Sequence, residues 1–136
     1  MRPDRSLLAI VMVVEAATFF VGAYLHTGRR IDLGAAALDE PRIIGATVVE
    51  TICGVALLAG AGQLAASRSG RGWAIGADGV AIGGVLLGML TLAFDLGPRT
   101  RTNDVYHVVV LSTLLLGLVW LIWLAGRERG AASPPR

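Results

Sequence analysis

Charge is scarce in this chain of 136 residues: 16% of it is Asp, Glu, Lys or Arg, against 54% hydrophobic. About a quarter charged is usual for a soluble domain, and a mean hydropathy of +0.67 points the same way. Lysine is absent, so all twelve basic residues are arginine. Cysteine occurs once, at Cys53, so no disulfide can close within one chain. Without a C-x-x-C pair, thiol-oxidising membrane enzymes and cysteine-relay metal carriers are disfavoured. A lone cysteine in an apolar run reads as a small packing residue. There is no nucleophile elbow, no phosphate loop and no H-E-x-x-H. The glycines of residues 72–88 do not form a G-x-G-x-x-G turn after a strand. The net charge of +2 lies between the apolar runs rather than in a basic patch, so it does not indicate a nucleic-acid partner.

What the chain has is four apolar runs, 6–25, 42–66, 73–96 and 105–125. Each is about 20 residues or longer, enough to cross ~30 Å of hydrocarbon as a helix. They use most of the chain. The expected architecture is therefore an all-α membrane protein, a four-helix transmembrane bundle over residues 1–126, with a disordered cytoplasmic tail at 127–136. Arg2 and Arg5 before the first run also fit a signal peptide with a cleavage site at Val21-Gly22-Ala23. Glu15 interrupts the apolar core and the run exceeds the ~7–15 residues of a signal h-region, so a retained helix is expected.

Four spans put both termini on one side. That side carries seven arginines (2, 5, 68, 71, 127, 129, 136) and the other five (29, 30, 42, 99, 101). Arginine bias then places both termini in the cytoplasm. Trp73, Trp120 and Trp123 fit an aromatic belt on the same side. Helix two should start with Pro41 after Asp39-Glu40, and Pro98 should stop helix three. Thr100, Thr102, Asn103 or Asp104 can cap helix four. Asp32-Leu33-Gly34 and Asp95-Leu96-Gly97 recur in the two outer loops, although the rest of the two halves aligns poorly. In helix three, Gly76, Gly79, Gly83, Gly84 and Gly88 give G-x-x-x-G spacings that let helices approach closely in lipid. They serve either packing within the bundle or a homodimer.

The polar residues inside the runs carry the functional expectation, because ionisable groups at membrane depth are costly and face a protein interior or a wet cavity. Glu15 lies ten residues before Leu25, ~15 Å below the outer end, and Glu50 eight residues after Arg42, ~12 Å below it. At similar depth on adjacent helices with no arginine between them, they could not both be ionised if they met in a dry interior, and would share a proton. The alternative is neutral, hydrogen-bonded glue between helices. His26 follows Glu15 by eleven residues, ~20° apart on one helical face. Asp104 and His107 are three apart and can meet. One outer vestibule could hold His26, Asp95, Asp104, Tyr106 and His107, with Glu15 and Glu50 beneath it. Asp104 also reads as a cap, and Asp95 as a solvated loop residue. Asp78, five residues into its run, is expected to be hydrated and without chemistry. A metal or a haem between His26 and His107 would suit imidazole chemistry, but no ligand spacing supports either, so no cofactor and no metal is expected.

The stretch Val49-Glu50-Thr51-Ile52-Cys53-Gly54-Val55-Ala56-Leu57-Leu58-Ala59-Gly60 resembles the second helix of DoxX-like proteins, small four-helix bacterial membrane proteins. There a glutamate is followed four residues later by glycine and then by an apolar run. The resemblance covers this one helix. It implies a multi-pass protein of the bacterial inner (plasma) membrane, a component of an electron-transfer or redox-stress system acting with partner proteins. Val13-Val14-Glu15-Ala16-Ala17-Thr18 is similar in position to the helix-one carboxylate of small multidrug resistance transporters. The second carboxylate and the long first loop depart from that pattern.

The expectation is thus a non-enzymatic membrane subunit or small-ligand-binding protein with a polar site open to the outer side. The alternatives are a proton-coupled exporter using Glu15 and Glu50, and a quinone- or haem-associated redox component. The expected partners are the lipid bilayer and either a second copy or another subunit of a membrane complex.

Overall fold

The computed structural model describes residues 3–34, 37–67 and 69–132, with side chains placed from 4 to 127 within those ranges. Four long helices form the fold: α1 Pro3–Leu25, α2 Ile44–Ala66, α3 Gly70–Ala93 and α4 Arg101–Ala132. All four are long and apolar enough to cross a membrane. Two short antiparallel strands, β1 Arg30–Asp32 and β2 Ala37–Asp39, join α1 to α2, with Ile31 opposite Leu38. One end of the bundle is therefore the hairpin end; the other carries the start of α1 and the end of α4.

The helices pack in chain order, α1 on α2, α2 on α3, α3 on α4, and α4 only lightly on α1. Each buries one stripe at 3.6-residue spacing. On α2 the stripe is Glu50, Cys53, Gly54, Leu57, Gly60, Ala61 and Leu64. Large apolar side chains such as Ile10, Val14, Leu116 and Ile122 point outward instead. Lipid tails solvate such side chains as well as a protein interior does, so in a bilayer the buried stripe can be small and polar while the outer surface is oily.

Several boundaries differ from those the sequence suggests. Helix α2 starts at Ile44, and its capping residue Ile43 offers no side-chain cap. Pro41 and Arg42 stay outside because the Ile43 N–H donates to the His26 carbonyl, 2.9 Å. Helix α3 ends at Ala93, before Pro98 can act. Asp95 takes a left-handed φ of 53°, and the amides of Asp95 and Leu96 donate back to Leu92 and Thr91 at 3.2 and 2.9 Å. This paired closure is a Schellman cap, with Asp in the position glycine usually takes. The two Asp-Leu-Gly segments thus do different work, since Asp32-Leu33-Gly34 enters the hairpin turn with Gly34 at φ 80°. Helix α4 begins at Arg101, capped by Thr100, whose Oγ1 accepts the Asn103 N–H at 3.0 Å. Its far end runs past residue 126. It stays helical to Ala132, because Arg, Glu and Ala are good helix formers and no proline intervenes before Pro134. Residues 133–136 of the expected tail lie outside the described residues.

Candidate functional site

The helix starts and stops just described put a cluster of polar side chains at the hairpin end. His26 follows the last residue of α1 and is 4% exposed; Glu50, six residues into α2, is 7% exposed. His26 Nε2 stands 3.8 Å from Glu50 Oε1. On its other side, His26 Nδ1 is 3.3 Å from the Pro41 carbonyl. A carbonyl only accepts, so Nδ1 carries the hydrogen of that bond and Nε2 is left facing Glu50. His107 on α4 repeats the arrangement: its Nδ1 is 2.8 Å from the Asn103 carbonyl, leaving its Nε2 against Gly88 of α3. Tyr106 meets the His107 ring edge-on, with centroids 5.6 Å apart, and its hydroxyl reaches the Thr18 carbonyl at 3.5 Å. Glu40, at the end of the hairpin, takes the Thr100 hydroxyl on both oxygens at 2.9 Å.

Glycine makes the close approach. A Cβ on Gly22 of α1 would lie 2.6 Å from Glu50 Oε1. A hydrogen at that position is what lets the carboxyl lie against the neighbouring helix.

His26, Glu50 and Asn103 together form a wall between two cavities. One, about 250 Å³, lies between α2, α3 and α4 and is lined otherwise by Val49, Gly84, Leu87, Gly88, Leu92 and His107 among others. The other, about 430 Å³, lies along the loose α1–α4 seam, lined by Val14, Val21, Leu25, Leu38 and Tyr106 among others. Both linings are mainly apolar. Beside the amide of Asn103 and the hydroxyls of Thr18, Thr91, Thr102 and Tyr106, the linings carry the Glu50 oxygens, of which Oε2 has no hydrogen-bond partner, and the imidazoles of His26 and His107, each with Nε2 left as an acceptor when the ring is neutral. Such a site fits a small apolar body with a head group that donates hydrogen bonds.

The structure redistributes the residues the sequence singled out. It brings His26, Glu50, His107 and Tyr106 together. It places Asp104 elsewhere, bound by the Arg99 guanidinium at 2.9 Å, because Arg99 lies just before the helix start and the Asp104 side chain points out. Asp95 is exposed at the α3 cap. Glu15 does not meet Glu50. Glu50 is level with Gly22, seven residues and ~10 Å beyond Glu15 along α1, because α2 starts late and carries Glu50 nearer the hairpin. The glycines also divide. Gly84 faces the Cys53 sulfur and Val49, and Gly88 faces His107, whereas a Cβ on Gly76, Gly79 or Gly83 would meet nothing within 4 Å.

Asp78 is the residue that sequence reasoning passed over. It is 1% exposed, in the stripe of α3 with Ala74, Ala77, Ala81 and Val85. The signal was available: a third carboxylate within a membrane-length run, spaced at helical intervals from small residues. Among the described residues no group of three or more His, Cys, Asp or Glu side chains is placed to hold a metal ion.

No protein-family model, curated protein or solved structure matches this chain.

Proposed function

We propose that this protein is a small multi-pass membrane subunit that binds a small, largely apolar molecule through a hydrogen-bond-donating head group, in the site walled by His26 and Glu50. The observation that carries this reading is the buried, unpartnered Oε2 of Glu50 in the wall between two apolar cavities, beside the His26 imidazole whose Nδ1 is engaged by a backbone carbonyl. A lipophilic amine is the simplest chemistry that satisfies such a set, because its N–H groups meet the carboxylate and its hydrocarbon fills the apolar linings. The loose α1–α4 seam gives such a molecule a lateral way in from the lipid. The arginine bias supports an orientation with both termini in the cytoplasm and the hairpin end outside. The resemblance of the α2 sequence to DoxX-like proteins is consistent with a bacterial inner-membrane component working beside partner proteins.

The test is thermal unfolding in detergent with a small lipophilic amine and with the alcohol of equal carbon skeleton. A ligand that binds only the folded state raises the melting temperature in proportion to its affinity. The amine should raise it and the alcohol should not, and Glu50→Gln should remove the difference. Equal effects of amine and alcohol, or an amine effect that survives Glu50→Gln, would refute the reading.

A further inference from the structure

The His26–Glu50 pair is buried inside the bundle, whereas the pairs Arg30–Asp32 and Arg99–Asp104 are exposed. The partners of both His26 ring nitrogens are acceptors. Nδ1 is 3.3 Å from the Pro41 carbonyl, and Nε2 is 3.8 Å from Glu50 Oε1. The ring also stands at the C-terminal end of α1, where a helix favours positive charge, and the last turn of α1 holds no basic residue. A ring between a carbonyl and a carboxylate is served at both nitrogens only as imidazolium, which donates from each. A neutral ring would turn a lone pair towards the carboxylate. The 3.8 Å separation is within ion-pair range but too long for a hydrogen bond. Glu50 Oε2 has no hydrogen-bond partner at all. The carboxylate is thus balanced by the ring and still open to a ligand nitrogen.

We propose that His26 is the resident cation of this site: its Nε2 carries the proton that balances Glu50 while the site is empty and gives it up when an ammonium head arrives, so that binding exchanges one proton for one ammonium ion. This exchange rests on the amine site proposed above and adds its coupling to pH. A buried carboxylate needs one balancing positive charge, and a second would be as costly as none. On exchange the N–H bond at Nε2 breaks, the electron pair stays on the nitrogen and the proton goes to water. The freed lone pair of Nε2 then accepts an N–H of the ammonium, beside the Glu50 oxygens. An amine that enters uncharged gives the same balance, because it leaves its own proton in water and takes the one from Nε2. The other titratable groups around the pair do not supply the charge. The Cys53 thiol of α2 and the Tyr106 hydroxyl of α4 can be neutral or negative but not positive. Glu40 of the hairpin accepts the Thr100 hydroxyl, and Glu15 lies ~10 Å back along α1. His107 of α4 turns its Nε2 to Gly88 rather than to a carboxylate. Helix α3 lines the cavity with Gly84, Leu87, Gly88 and Leu92, none of them titratable. Arg42 is exposed, and Arg99 is bound to Asp104.

The experiment is nitrogen NMR of the full chain, carrying isotope-labelled histidine, in lipid nanodiscs at about pH 6, where an imidazole readily carries charge. The shift of Nε2 tells a proton-bearing nitrogen from a bare one. The two histidines are told apart with His107→Gln, or with His26→Gln should that variant misfold. In the empty parent protein the His26 Nε2 should bear a proton, and with a saturating small lipophilic amine it should be bare. In Glu50→Gln it should be bare without any ligand, since the ring has lost its counter-charge; should that variant misfold, the two parent spectra decide. In weakly buffered solution a pH indicator should read about one proton released per amine bound, and the affinity should fall about tenfold for each unit the pH is lowered while Nε2 is protonated. A bare Nε2 in the empty parent, a protonated Nε2 with the amine bound, or binding that releases no proton and ignores pH would overturn the exchange and leave the amine site standing. Absence of saturable amine binding to the parent would refute the site itself, and the exchange with it.

Discussion

Glu50 Oε1 sits 3.8 Å from His26 Nε2 and lies against Gly22 on the neighbouring helix, where a methyl group would come within 2.6 Å of that oxygen. Helix α1 thus contributes a gap, and the residue just past its end a histidine, to the place where α2 contributes an acid. The first prediction uses that gap. Gly22→Ala should leave the bundle folded, since only the flexible end of the Glu50 side chain must move. It should weaken lipophilic-amine binding by about tenfold, or ~1.4 kcal/mol. Isothermal titration with unchanged size-exclusion behaviour checks this; full affinity in the variant would mean that Glu50 is not where the ligand binds.

Gly88 and Gly79 lie on the same helix, and the structure gives them opposite surroundings. A Cβ on Gly88 would run into the His107 ring, and one on Gly79 would meet nothing within 4 Å. Gly88→Ala is therefore expected to push His107 off the Asn103 carbonyl and to cost about 1–3 kcal/mol, as overpacking does. Gly79→Ala should be neutral or slightly stabilising, because alanine is the better helix former. Thermal unfolding of the two variants side by side gives the answer, and equal losses would argue against the packing described.

Thr100 links two elements by one hydroxyl. It accepts from the Asn103 N–H and donates to Glu40. Thr100→Val keeps the shape and removes both bonds, so a loss near the upper end of the ~0.5–2 kcal/mol range for helix caps is expected. Thr100→Ser should retain most of the stability. If valine and serine behave alike in denaturant unfolding, the hydroxyl is not what holds the hairpin to α4.

Much of this architecture is legible in the sequence, for a physical reason. A helix that crosses hydrocarbon must be a run of about 20 apolar residues, so four helices can be counted directly. Their ends are less legible because they depend on tertiary partners. Ile43 is held out of α2 by the His26 carbonyl, and α3 stops at Asp95, whose left-handed backbone no local pattern announces. The error in the start of α2 propagated into the site. Two residues at ~1.5 Å each, with the unknown tilt of α1, made Glu15 and Glu50 look level. Asp78 was passed over because depth was counted from Trp73, whereas α3 starts at Gly70. The outward-facing Gly76, Gly79 and Gly83 could not be told from the inward-facing Gly84 and Gly88 by spacing alone, since both sets fit G-x-x-x-G.

Orientation is testable apart from chemistry. With the hairpin end outside, Leu33→Cys and Gly97→Cys should react with an impermeant maleimide in intact cells, and Ser69→Cys only after the membrane is opened. Cys53 is buried and should stay silent. Labelling of position 69 alone from outside would invert the protein.

The central claim is that Glu50, in the wall between the two cavities, is the group that receives the ligand's head. Calorimetric titration of a small lipophilic amine into the protein in lipid nanodiscs, with and without Glu50→Gln, tests it most directly. The account predicts saturable one-to-one binding to the parent protein and at least tenfold weaker binding to Glu50→Gln, with both proteins folded and of equal size. Binding of equal strength to the two proteins, or none to either, would contradict it.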